Sequence, residues 1–182
     1  MPCEILEIRF PIDQVQYWAD RFSFPRTDEH LIAQNNLIQQ QRYFTKEQLL
    51  ALCRWKSPRA APKAEINEDE FIREVSRISL ATENERLRIE VLTLLSGVSW
   101  PIASAILHFY VSNSYPILDV RALWSLQCVI RGNYQYNVNL WNRYVNYCRA
   151  KATEAGVSVR ILDKALWQYS KEHQRINNDE GG

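Results

Sequence analysis

One carboxylate in this chain stands where a carboxylate is costly. Asp119 follows Pro116, Ile117 and Leu118, precedes Val120, and lies 22 residues after Gly97. A charge set among apolar residues at a helix start loses hydration unless a helix end or a bound group uses it. Its commonest task in that position is to cap the helix. Its other task is chemical: a fixed carboxylate in dry surroundings stabilises developing positive charge and orients or deprotonates a water. The run that carries it, Leu94 to Leu126, reads LLSGVSWPIASAILHFYVSNSYPILDVRALWSL. It divides into a helix end, a tight turn at Gly97, an apolar helix, a short Pro-bearing loop and a helix opened by Asp119. In the turn Leu95-Ser96-Gly97-Val98-Ser99, Ser99 suits an N-cap, and Pro101 sits in the first helical turn, where a missing N–H does no harm. Taken locally, this turn also reads as an ordinary connection between two helices.

The elements that must position Asp119 are helical throughout. Val15, Trp18, Ala19 and Phe22 share one face of a helix over Asp13 to Phe22. Thr27 caps a Gln/Asn-rich helix to about Arg42, with Leu31, Ile32, Leu37 and Ile38 as its apolar contribution. Thr45 and Gln48 make a capping box for a helix that buries Leu49, Leu52 and Cys53. The stretch Ser57 to Ile66, with two prolines, breaks it. Asn67 caps a helix carrying Phe71, Ile72, Val75 and Ile78. Another starts near Thr82 and runs through Leu87, Val91 and Leu94 to Gly97, a residue suited to a helix C-terminus. Ile102 to Val111 is apolar on nearly all sides and predicts a central buried helix. Asp119 to Ile130 is the next, ended by Arg131-Gly132-Asn133. Asn137 starts a long helix with the stripe Val138, Trp141, Val145, Cys148 and Ala152, stopped by Gly156. Ser158 caps the last, which buries Ile161, Leu162, Ala165, Leu166 and Tyr169. Cys3 to Phe10 hints at a strand. The pattern predicts an all-α fold of eight or nine helices, one domain over residues 1–176, and a disordered tail at 177–182.

Composition agrees with a folded domain: 46% hydrophobic residues with six Trp and nine Tyr in 182 residues are enough for a substantial core. Only five glycines are present, which disfavours a turn-rich β fold. The cysteines at 3, 53, 128 and 148 have no short paired spacing, so they suggest buried free thiols rather than a zinc or iron–sulfur site. No leader and no membrane-spanning run is visible, which predicts a cytoplasmic location. A net charge of +1 gives no global pull toward nucleic acid. Locally, Arg54 to Lys63, RWKSPRAAPK, carries four cations and no acid, and reads either as a binding patch or as a solvated linker.

The order of turn, buried helix, Pro-bearing loop and aspartate resembles the helix-hairpin-helix and aspartate signature of the base-excision DNA glycosylases. Trp55-Lys56-Ser57-Pro58-Arg59, followed by LSGVSWPIASAIL and PILDVRALWSL, is most similar to compact bacterial proteins of the 8-oxoguanine-glycosylase fold. The resemblance is tight over about 35 residues and loose over the rest. It implies helices in two lobes around a cleft, with double-stranded DNA carrying a damaged or modified base as the partner of a monomer. Turn amides of Gly97, Val98 and Ser99 and the helix behind them would hold a phosphate. The family pattern has a second glycine where this chain has Ser99, which weakens that approach. Related hairpins also hold a monovalent cation on turn carbonyls; no other cofactor is implied, and no clustered His/Cys/Asp set suggests a metal.

By the same resemblance Asp119 is the catalytic residue. It would stabilise an oxocarbenium-like sugar after the nucleotide is flipped from the duplex. Bifunctional members carry a lysine four residues after the first hairpin glycine; this chain has Pro101, which cannot form a Schiff base, and so implies hydrolysis without strand cleavage. A base pocket needs a stacking surface and polar groups. Trp55, Trp100 and Tyr115 are the candidate stacking residues. Lys56, Arg59 and Arg121 are the candidate contacts to DNA, Arg121 also as a partner for Asp119. Each has a plain alternative, as a core aromatic or a solvated cation. His108, on the buried helix, reads as a hydrogen-bonded core residue, and His30 and His173 have no supporting context. The implied activity suits repair or removal of unusual bases from phage DNA. The alternatives are a helix-hairpin-helix module that binds DNA without catalysis and an all-α protein-interaction domain.

Overall fold

A computed structural model describes residues 6–128 and 136–174, in which ten α-helices and no strand occur. The helices are α1 (Val15–Asp20), α2 (Glu29–Gln41), α3 (Lys46–Lys56), α4 (Ala61–Ala64), α5 (Asp69–Ala81), α6 (Glu85–Glu90), α7 (Trp100–Ile106), α8 (Val120–Ser125), α9 (Val138–Glu154) and α10 (Val159–His173). The last helix gathers α1, α8 and α9 around it, while α7 and its continuation gather α2, α3 and α6. Leu6 to Phe10 forms no strand; Glu7 N and Arg9 N instead donate to Leu126 O and Ser125 O at the end of α8. Cys3 and the tail at 177–182 lie outside the described residues, as do Ile130 to Asn133.

Side-chain caps open five of the ten described α-helices. Thr45 and Gln48 form the capping box of α3, Asn137 accepts from Leu140 N, and Ser158 accepts from Ile161 N. At Gly156, φ is +66°, and Val157 N reaches back to Ala152 O, closing α9. The expected helix from Asp119 to Ile130 is shorter than its pattern: α8 ends at Ser125, and Gln127 turns the chain in the left-handed region at φ +59°.

Two helices face the core differently from their apolar pattern. In α2, Leu31 and Ile38 are buried but Ile32 and Leu37 are exposed. The inward face includes Asn35 and Gln39, whose side-chain amides donate to Phe109 O and Tyr110 O at 2.5 Å each. These carbonyls belong to Leu107–Val111, a π-helical continuation of α7 in which Ser112 N bonds to Leu107 O. Both carbonyls lie in the last turn of this helix, where no intrahelical donor follows, and the Gln/Asn-rich helix satisfies them. In α5 the buried set is Ile72, Val75, Ser76 and Ser79, with Phe71 and Ile78 outside. The serines pay their way inside: Ser76 Oγ accepts from Phe44 N, and Ser79 Oγ donates to Arg88 O.

Asn67 does not cap α5. It is buried, and its amide donates to Ala64 O and Ser96 O while accepting from Ser96 N, so it pins the hairpin to α4. The prolines of 57–66 do not yield a linker either; Pro58–Ala60 is a 3₁₀ turn leading into α4. Against it lies Gly97, with φ +80°. A Cβ there would stand 2.7 Å from Ala64 N and 2.8 Å from Ala60 O. Cys53 and Cys148 are buried free thiols, whereas Cys128 takes part in a disulfide, contrary to the expectation from spacing. No helix of the described residues is long and apolar enough to cross a membrane.

Gly97→Ala is therefore expected to cost more than Gly156→Ala. At Gly156 a Cβ meets open space, leaving only the left-handed penalty of about 1–2 kcal/mol. At Gly97 the same penalty adds to a clash with backbone that has no side chain to move aside. Urea unfolding of the two variants checks the order, and equal losses would contradict it.

Candidate functional site

Asp119 uses its two oxygens differently. Its Oδ1 accepts from Arg121 N at 2.9 Å, the N-cap bond of α8, and its Oδ2 accepts from Lys56 Nζ at 2.5 Å. The loop that delivers it is held by three helices. Leu118 N donates to Ser104 Oγ of α7, Ile117 N to Asp163 Oδ2 of α10, and Tyr144 OH of α9 donates to Ile117 O. Lys56 is the last residue of α3, stopped by extended Ser57 and Pro58. The Lys56 side chain is 9% exposed and that of Asp119 24%.

Around this pair is a pocket walled by four aromatics, Phe22, Phe24, Trp55 and Trp167, and by Ile117 and Ala122. Arg160 and Asp163 of α10 also line it. Arg160 is ion-paired to Asp28 at 2.6 Å, and its guanidinium lies over the Phe22, Trp55 and Phe109 rings. Trp55 Nε1, Arg160 Nε and Asp163 Oδ1 are buried and find no hydrogen-bond partner among the described residues. Three unmade hydrogen bonds around one pocket are an unusual concentration, since buried polar atoms are nearly always paired. The room left between these walls is about 30 Å³. That holds a water and is too small for a nucleobase ring. Half-buried Phe22, Phe24 and Trp167 are the walls that would have to move.

Of the residues singled out in the sequence, Asp119, Lys56 and Trp55 converge on this pocket. Arg121 does not pair with Asp119: only its backbone N–H does, while its guanidinium lies over Trp167. Lys56 is the cation at the carboxylate instead. Tyr115 lies away from the pocket because its hydroxyl donates to the Glu85 carboxylate and Arg149 covers its ring. Trp100 is half-buried at the start of α7, packed on the core outside the pocket. His108 is buried with Nδ1 2.7 Å from Tyr115 O, and burial drives its pKa down to about 4, as suits a neutral core histidine.

Sequence reasoning missed Phe22, Phe24 and Trp167 as walls, and with them Arg160 and Asp163. A signal existed for Asp163, a carboxylate among Leu162, Ala165 and Leu166 on a buried face, the same anomaly that marks Asp119. Tyr136 was missed too; burial raises its phenol to about 12, and the Asp119 charge adds to the rise.

The hairpin lines a second, open groove of about 790 Å³ together with Arg59 and Lys63. These cations sit four apart and are exposed, and the groove wall contains no acid among the described residues. Val98 does not offer its amide, which donates to Leu95 O; Gly97 N and Ser99 N have no acceptor among the described residues. Ser99 occupies the N-cap position of α7 without a side-chain cap bond. Leu95 O and Ser96 O already accept N–H donors, from Val98 and from Asn67, so the turn offers a monovalent cation a poor donor set. Pocket and groove are joined by sequence: Trp55 and Lys56 line the first, Arg59 and Lys63 the second. No group of three or more metal-ligating side chains occurs among the described residues.

Burial raises the Asp163 carboxyl to about 7, against opposing contributions from Arg160, the Ile117 amide and Lys56. An unfolded aspartate titrates near about 4, so between about pH 4 and 7 the folded chain holds a proton that the unfolded chain releases. This group's contribution to stability is full below about pH 4 and is lost as pH rises through about 7. Asp163→Asn keeps an acceptor for Ile117 N and is expected to flatten the fall in Tm over that window, measured by thermal unfolding beside wild type. Parallel pH profiles for the two proteins would refute the assignment. Comparisons of this chain with protein-family models, with curated proteins and with solved structures return no match.

Proposed function

We propose that this chain is a DNA N-glycosylase that hydrolyses the bond between deoxyribose and a damaged or modified base, in repair or in defence against phage DNA. The observation that carries the reading is the Lys56–Asp119 pair inside an aromatic pocket, linked through Ser57 and Pro58 to a cationic groove at the hairpin. Asp119 keeps one oxygen on the helix end and turns the other to the pocket, so the carboxylate is held without side-chain freedom. Such a charge stabilises an oxocarbenium-like sugar and orients a water toward it. Lys56 fixes the carboxylate in the resting state. A phosphate in the groove would meet Arg59, Lys63 and the free amides of Gly97 and Ser99, with the neighbouring nucleotide rotated into the pocket. The hairpin carries Pro101 and no amine, so base removal proceeds by water.

A second reading has one observation in its favour. The narrow pocket, with room for about 30 Å³, suits a helix-hairpin-helix module that binds DNA and removes nothing. Base release from duplexes containing damaged and phage-type modified bases separates the two. Wild type is expected to leave alkali-labile abasic sites on at least one substrate, and Asp119→Asn to lose that by a factor of about 10²–10³ or more. Asparagine remains a good N-cap, so α8 is preserved. Base release unaffected by Asp119→Asn, or absent from every substrate, would refute the glycosylase reading.

The groove has its own test. Each phosphate contact contributes about 0.9 to the slope of log affinity against log salt. Arg59→Ala with Lys63→Ala is expected to reduce that slope by about 2 on any duplex, read by fluorescence anisotropy at several salt concentrations. An unchanged slope would place DNA elsewhere.

A further inference from the structure

One wall of the pocket beside Lys56 and Asp119 is held differently from the others. Residues 21–28, between α1 and α2, supply Phe22 and Phe24 to it. Ser23 to Thr27 make no backbone-to-backbone hydrogen bond among the described residues, so no regular element fixes this stretch. Side chains tie it down instead. At its start Arg21 donates to both carboxylate oxygens of Glu172 on α10, at 3.0 and 2.9 Å. In its middle Ser23 N and Oγ donate to Gln168 Oε1, Lys171 donates to Ser23 O, and Arg26 donates to Trp55 O. At its end Asp28 accepts from Arg160 at 2.6 Å.

These ties are unequal. Arg21 and Glu172 are exposed, and ion pairs in water hold little. Arg160 and Asp28 are largely screened from water, with side chains 18% and 20% exposed, which makes their short charged bond the firmest of the set. The apolar hold is incomplete. Phe22 and Phe24 are only half-buried, and their ring contacts are with each other, Trp55 and Trp167. Pro25, Arg26 and Thr27 also border an open groove of about 450 Å³, so the stretch has space to swing into.

We propose that residues 21–28 are a lid on the pocket and that the Arg160–Asp28 ion pair is its latch. Breaking the pair frees one end of the lid and lets Phe22 and Phe24 withdraw together, while α10 and the Lys56–Asp119 pair stay in place. Motion of this kind is what a pocket with room for about 30 Å³ needs before a ring can enter it. The lid goes beyond the glycosylase reading, because it opens in the free protein and needs no substrate to do so.

A thiol behind the lid reads its motion. Ala122 lines the pocket and is 2% exposed, and Ala122→Cys adds a single sulfur there. Full-length protein with this substitution is treated with iodoacetamide, and each alkylated cysteine is followed over time by peptide mass spectrometry. Cys53 and Cys148, buried free thiols, monitor global unfolding in the same sample. With the latch intact, alkylation at position 122 is expected to be slow. Asp28→Asn is expected to speed it about tenfold or more, as loss of a charged hydrogen bond implies, while Cys53 and Cys148 keep their rates. Asp28 makes no side-chain cap bond to α2, so the helix start is retained. Arg160→Gln breaks the same pair from the other side and is expected to give the same rise; Arg21→Gln, at the exposed tie, is expected to give much less. An unchanged rate in either latch variant, a rise matched by Cys53 and Cys148, or an equal rise from Arg21→Gln would overturn the proposal. Faster alkylation without base release from any duplex would leave the lid standing and remove the glycosylase reading. Base release with unchanged alkylation would do the reverse.

Discussion

The contact between Lys56 and Asp119 is the interaction on which the rest of the structure is organised. It ties the end of α3 to the start of α8, two elements 63 residues apart, and it does so with a charge pair largely out of water. Removing one member of such a pair leaves the other uncompensated and costs about 3–5 kcal/mol when burial is complete. The partial exposure of Asp119 places this pair toward the lower figure. Replacing both members with apolar residues would cost much less, so stability alone does not require them.

Everything around the pair serves to hold it still. The Pro116–Leu118 loop could approach Asp119 in many ways, but its backbone is bonded to a serine, a tyrosine and a buried aspartate from three helices. Ser104 and Tyr144 are themselves fully buried, so their orientations are set by packing. Such an arrangement removes freedom from the carboxylate itself, because the backbone that carries it is fixed on three sides. Among the described residues, Trp55 Nε1 of α3 and Arg160 Nε and Asp163 Oδ1 of α10 are left unpaired beside it. That is a local cost to folding, concentrated where a ligand would satisfy it.

Much of this architecture was legible one helix at a time. The capping box at Thr45, the caps at Asn137 and Ser158 and the stop at Gly156 are written in short windows, because they depend on neighbours within four residues. The reading failed where a polar side chain took an interior place. Asn35 and Gln39 face inward to satisfy a π-helical segment, and Asn67 leaves its cap position to bridge the hairpin and α4. Each of these bonds has a partner 29 to 74 residues away. Local pattern cannot supply such a partner. Tyr115 failed likewise: an aromatic beside the loop was a fair candidate for a pocket until Glu85 claimed its hydroxyl.

By itself, the sequence determined that the chain is helical, that Gly97 makes a turn, and that Asp119 stands at a helix start in apolar company. These follow from periodicity, from the conformational freedom of glycine and from the cost of an isolated charge. Only the tertiary structure decided which cation meets that charge. Arg121 is the near neighbour in sequence, but its guanidinium lies over Trp167. Lys56, on another helix, reaches the carboxylate through space. The same folding brings Asp163 and Arg160 to the pocket and leads the basic segment from the pocket to the hairpin groove. Sites of this kind are assembled from side chains that share a volume, and a volume has no linear signature.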